Sequence, residues 1–222
     1  MEFLHNIVNF LFHIDKELSA IIQNFGPWSY LLLFLVVFAE TGFVVTPFLP
    51  GDSLLFAAGT FAAQGAFDVV WLFVVLALAA VIGDSVNYAV GHLFGERLFR
   101  NEKSRIFKKE YLERTHRFYE KYGGKTIIIA RFVPVIRTFA PFVAGLGKMS
   151  YARFFLYNVT GGILWVAVFT IGGFYFGNTP LIKENFSLTI FVIIVLSILP
   201  GVIEFYKHRL RKKYTASAGG AR

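Results

Sequence analysis

Apolar residues run through this chain in long blocks, and the informative positions are those that interrupt them. Over 3–22 the apolar side chains Phe3, Leu4, Ile7, Val8, Leu11, Ile14, Leu18, Ile21 and Ile22 stand opposite His5, Asn9, Asp15, Lys16 and Glu17. That spacing predicts an amphipathic helix within 1–26, lying in a membrane interface rather than crossing it. Asn24, Gly26 and Pro27 end it, and Trp28 and Tyr30 suit an interfacial aromatic belt. A first span is predicted from 28 to about 45. The apolar stretch after Pro50 is short and rich in Gly and Ala, which suits the return arm of a re-entrant hairpin near 46–65. Residues 69–94 are long enough to cross fully, as are 151–176 and 186–206. Between them, 126–147 is an apolar run broken by two arginines and two prolines and flanked by Lys125 and Lys148, the pattern of a second hairpin.

Composition confirms the class without refining it. The chain is 56% hydrophobic, 18% aromatic and only 16% charged, so an all-α polytopic membrane protein of one domain, 1–222, is expected. The net charge of +8 does not point to nucleic acid, because the basic residues cluster in 97–125 and in a tail, 207–222, beside apolar blocks. Positive charge so placed marks cytoplasmic segments. Counting backwards puts both termini in the cytoplasm and the 64–68 turn outside. The two hairpins then dip in from opposite sides, each followed by a span, as in the inverted repeats of secondary transporters. Glu110–Arg114 and Glu113–Arg117 have the spacing of a surface helix, although a solvated loop that only fixes topology explains 97–125 as well. Cysteine is absent, which excludes disulfides and thiolate metal sites. The amino-terminal Met1-Glu2-Phe3 lacks the charge of a removable signal peptide.

Candidate chemistry sits in the interruptions. The stretch Glu40-Thr-Gly-Phe-Val-Val-Thr-Pro-Phe-Leu-Pro-Gly-Asp52 places two carboxylates around Pro47, Pro50 and Gly51. A charge at a helix centre costs about 2.5–3.5 kcal/mol on insertion, and both prolines break the helical ladder. Such backbone is tolerated where it is packed in protein or lines a wet cavity. In Gly83-Asp84-Ser-Val-Asn87-Tyr88-Ala-Val-Gly91, positions 84, 87, 88 and 91 share a helix face that should point at the first hairpin. There a packing hydrogen bond from Asp84 or Asn87 explains the pattern as well as a ligand contact does. The second hairpin carries Arg131, Pro134, Arg137 and Pro141. Low dielectric would drive Glu40 and Asp52 towards Arg131 and Arg137. A guanidinium fork fits phosphate as well as carboxylate, so a phosphorylated ligand could replace a carboxylate as partner, and the freed acid would then favour a proton. Two blander readings stay open: a static ion-pair lock between hairpins, and Asp52 as a simple helix cap. His92 and His116 receive no role. No nucleophile and base set, Walker-type phosphate loop or metal-spaced motif is present, so neither catalysis nor a metal or other cofactor is expected.

These three motifs together resemble the DedA family of bacterial inner-membrane proteins, within the SNARE-associated or VTT-domain superfamily. The resemblance covers about 28–177 and extends loosely to both ends. It implies two facing re-entrant hairpins and a role in membrane lipid homeostasis. It further implies flipping or transport of a lipid phosphate, undecaprenyl phosphate foremost, driven by proton motive force. The family's essential acidic pair maps onto Glu40 and Asp52, and its essential arginines onto Arg131 and Arg137. Phospholipid flipping or scrambling, a proton-coupled ion or small-molecule exchanger, and a membrane scaffold are the alternatives. The expected partners are a lipid phosphate headgroup, protons and the bilayer, with an oligomer left open.

Overall fold

The computed structural model describes residues 25–43, 51–99, 123–180 and, towards the carboxyl end, 182, 185–186, 188–193 and 195. Among them all regular structure is helical: α1 (Trp28–Gly42), α2 (Gly51–Ala63), α3 (Val69–Phe99), α4 (Lys125–Ala130), α5 (Pro134–Leu146) and α6 (Tyr151–Phe176). The expected interfacial helix at 1–26 lies almost wholly outside the described residues. So do Pro47 and Pro50, most of the basic loop, the second half of the last span and the tail.

Among the described residues two helices are long and apolar enough to cross a bilayer, over Val69–Phe94 and Tyr151–Phe176. The sequence also predicts a full span from 28 to about 45. The helix found there has 15 residues, about 22 Å at 1.5 Å per residue, which falls short of a hydrocarbon core of about 30 Å. With α2 at 13 residues, α1 and α2 are both short arms. The second arm is described from Gly51, with Asp52 in its first turn.

Polarity is distributed as a bilayer demands. Along α3 the residues Val70, Val74, Leu78, Ile82, Val86 and Val90 form an exposed stripe four residues apart. The charged and amide side chains Glu40, Asp52, Asp84, Asn87, Arg131, Arg137 and Asn158 are instead buried. An apolar exterior around a polar interior is stable in lipid, where each unsatisfied polar group on the outside would be costly.

The break between α4 and α5 has a local cause. Val133 is extended, at φ −117° and ψ 106°, as the ring of a following proline requires. Pro134 then opens α5, where its missing amide hydrogen costs nothing. Arg131 therefore lies in a non-helical joint, and Arg137 one turn into a new helix.

Among the short helices, α1 and α5 pack on α3 and α2 packs on α6; the α2–α6 and α5–α3 crossings share one device. Both contacts are made by reciprocal glycines. A Cβ at Gly59 would strike the Thr170 carbonyl and one at Gly173 the Phe56 carbonyl; a Cβ at Gly145 would strike the Tyr88 carbonyl and one at Gly91 the Phe142 carbonyl. In each case the carbonyl struck lies three residues before the partner glycine. Backbones this close are the membrane route to dispersion packing without side-chain interdigitation. Gly173→Ala should destabilise the fold by about 1–3 kcal/mol through forced overpacking, read as a drop in thermal midpoint in detergent. Its neighbour Gly172 faces open space, and Gly172→Ala should leave the midpoint unchanged.

Candidate functional site

The last turn of α1 brings Glu40 to the start of α2. Gly51 is required there, since a Cβ at that position would overlap the Glu40 carboxylate. The Gly51 amide donates to Glu40 Oε1 at 3.3 Å. Arg137, from the first turn of α5, closes the group. Its Nη2 donates to Glu40 Oε1 and its Nη1 to Asp52 Oδ1, both at 2.6 Å. One guanidinium thus spans two carboxylates from two helices. The Glu40 side chain is 1% exposed and that of Asp52 10%, so Asp52 is the more accessible acid.

Arg131 goes elsewhere. Its Nη2 donates to Asp84 on α3 and, at 2.7 Å, to Asn158 Oδ1 on α6. Asn158 is itself oriented by donating to the Val81 carbonyl at 3.0 Å. On α6, Gly162 gives the guanidinium room, because a Cβ there would come within 2.9 Å of Arg131 Nη1. Of the two arginines that low dielectric would drive towards Glu40 and Asp52, Arg137 meets both carboxylates and Arg131 meets Asp84 instead. Asp84 comes within reach of Arg131 because α3 packs against both α1 and α5, a neighbour relation that charge pattern alone does not reveal.

The rest of the polar face of α3, expected to point at the first hairpin, reaches both α1 and α5. Asn87 Nδ2 donates to the Thr41 carbonyl at 3.0 Å and to the Thr138 carbonyl at 2.7 Å, tying α1 to α5. The Tyr88 hydroxyl donates to the Met149 carbonyl, and Gly91 takes part in the α3–α5 crossing. Pro141 lies inside α5, where it offers no amide hydrogen to the Arg137 carbonyl four residues back.

Trp165 joins the two groups. Its indole N–H donates to Asp52 Oδ1 at 2.8 Å, and its ring lies 4.8 Å from the Arg137 guanidinium carbon and 5.9 Å from that of Arg131. Neither Trp165 nor Asn158 lies in the three sequence motifs that mark the site. A signal was present: 158, 161, 162 and 165 fall on one helix face and carry one amide, two glycines and an indole in an otherwise apolar span.

Five buried polar atoms of these residues make no hydrogen bond among the described residues: Glu40 Oε2, Asp84 Oδ1, Asn87 Oδ1, Arg131 Nη1 and Arg137 Nε. Buried polar atoms are nearly always paired, so this concentration sets the site apart from ordinary packing.

Comparison with known proteins adds the family. The VTT domain matches residues 49–175, which include Asp52, Asp84, both arginines and Trp165. Protein DedA of Escherichia coli K12 is 56% identical over 211 residues, covering 94% of this chain and 96% of the relative. The chain belongs to the DedA family. Other relatives include an uncharacterized membrane protein of Mycobacterium leprae, 43% identical over 76% of each chain. The inner membrane protein YqjA of Escherichia coli K12 is 35% identical over 81% of each. No solved structure matches the chain. Membership makes this DedA-family chain a membrane protein, in agreement with its apolar exterior.

Proposed function

We propose that this protein is an inner-membrane transporter that carries a phosphate-bearing lipid, undecaprenyl phosphate foremost, across the bilayer in exchange for proton movement. The observation that carries the reading is the fork of Arg137. Its two terminal nitrogens are occupied by one oxygen from each of two carboxylates, the arrangement that two oxygens of one phosphate would also satisfy. A lipid phosphate can therefore take the place of Glu40 and Asp52 on the same donors, and of the two displaced acids Glu40 is the group to take up a proton while Asp52 stays ionised. Arg131, held apart on α3 and α6, supplies a second cation for the headgroup. The first turns of α2 and α5 meet at this point, and helix amino-terminal ends favour an anion. A lock built only for stability would have its hydrogen bonds satisfied, whereas this site leaves buried polar atoms on both sides of the Arg131–Asp84 and Arg137–Glu40 pairs with no hydrogen bond among the described residues.

In the same reading, α1–α2 and α4–α5 are two re-entrant hairpins entering from opposite faces, with both termini in the cytoplasm. The matched glycine crossings of α2 on α6 and α5 on α3 support an inverted repeat of two short arms and one long helix.

The test is lipid movement by purified protein in liposomes, comparing undecaprenyl phosphate with phosphatidylethanolamine, with and without an imposed pH gradient. Gradient-sensitive movement of the phosphate lipid is expected from wild type and should fall at least tenfold in Arg137→Lys and Glu40→Gln. Wild-type rates in both variants would turn the reading towards a scaffold. Proton flux without lipid would turn it towards an exchanger.

A further inference from the structure

Exchange of partners at Arg137 raises a difficulty that the positions of α6 address. When a phosphate takes the guanidinium, Asp52 loses a charged partner while still buried, and losing one partner of a buried pair is costly. The Trp165 indole N–H points at the same oxygen that Arg137 engages, Asp52 Oδ1. Trp165 sits on α6, in a fully buried position, so its donor does not leave with Arg137. Its ring also faces both guanidinium groups, where a cation is favoured over an aromatic face.

Resting on the transport reading, we propose that Trp165 is a positioning residue for phosphate exchange: its indole N–H holds Asp52 in place while Arg137 turns to the lipid phosphate. The contribution belongs to the ligand-bound state, in which the carboxylate has given up Arg137. Removing the donor therefore weakens binding more than it disturbs the resting protein. Trp165→Phe keeps an aromatic face over the arginines and removes the N–H alone. A hydrogen bond to a charged group corresponds to roughly tenfold or more in an equilibrium.

Equilibrium binding of undecaprenyl phosphate to the full-length protein in detergent, with transport rate in liposomes measured alongside, separates this role from simple packing. Trp165→Phe should raise the half-saturating lipid concentration about tenfold and leave the maximal rate within about twofold. In an Asp52→Asn background the same substitution should have little effect, since the neutral amide has no charge to lose a donor for. Asp52→Asn alone should still bind, because it competes less for Arg137. A lowered maximal rate at unchanged half-saturation, or equal effects in both backgrounds, would assign Trp165 to packing and overturn the inference. Wild-type behaviour of Trp165→Phe would overturn it while leaving lipid transport intact. Wild-type protein that neither binds nor moves the phosphate lipid would remove the transport reading and this inference with it.

Discussion

Arg137→Ala should be among the most damaging single substitutions in the chain, lowering stability by about 3–5 kcal/mol. The reason is geometric. Glu40 and Asp52 meet on one guanidinium, and without it two carboxylates face each other in a water-poor interior. Removing the charges together is a different matter, because a buried ion-pair group replaced by neutral side chains of similar volume is often no less stable. The triple substitution Glu40→Gln, Asp52→Asn, Arg137→Met should therefore recover most of the lost thermal midpoint in detergent, and yet move no lipid. That pairing of outcomes distinguishes a working site from a lock. A neutral triple variant that folds and also transports would show the charges to be dispensable for function.

The second large effect concerns the other arginine. Asp84→Ala takes the carboxylate from Arg131 and leaves it Asn158, a loss again expected at about 3–5 kcal/mol. A double-mutant cycle gives the sharper number. Asp84→Asn with Arg131→Gln should show coupling of at least ~2 kcal/mol, in the upper part of the range for residues in contact. The corresponding cycle between Asp52 and Arg131 should show much less, although opposite charge alone would pair them equally well. Reversed couplings would mean that Arg131 belongs to the first hairpin, as the sequence pattern had implied.

That contrast marks what the sequence made legible. The positions of the site could be read because a proline or an ionised side chain inside an apolar block has few structural excuses. Glu40, Asp52, Arg131 and Arg137 are all buried as expected. Who pairs with whom could not be read, because it depends on how four helices cross, and the crossings are set by glycines such as Gly59 and Gly145 that contact backbone and carry no directional code. Length misled once: the apolar block after Trp28 runs on past Gly42 in sequence, but its helix ends there. Trp165 and Asn158 escaped notice because an indole and an amide in a span read as bulk and packing until their helix face is compared with the arginines they meet.

The claim at the centre is that a buried arginine exchanges carboxylates for a lipid phosphate. Native mass spectrometry of the purified protein with undecaprenyl phosphate and with undecaprenol, which has the same chain and no phosphate, isolates that interaction. Retention of the phosphate lipid in strong preference to the alcohol, with the preference lost in the neutral triple variant, is the expected result. Equal retention of both lipids, or a preference that survives loss of Glu40, Asp52 and Arg137 together, would contradict it.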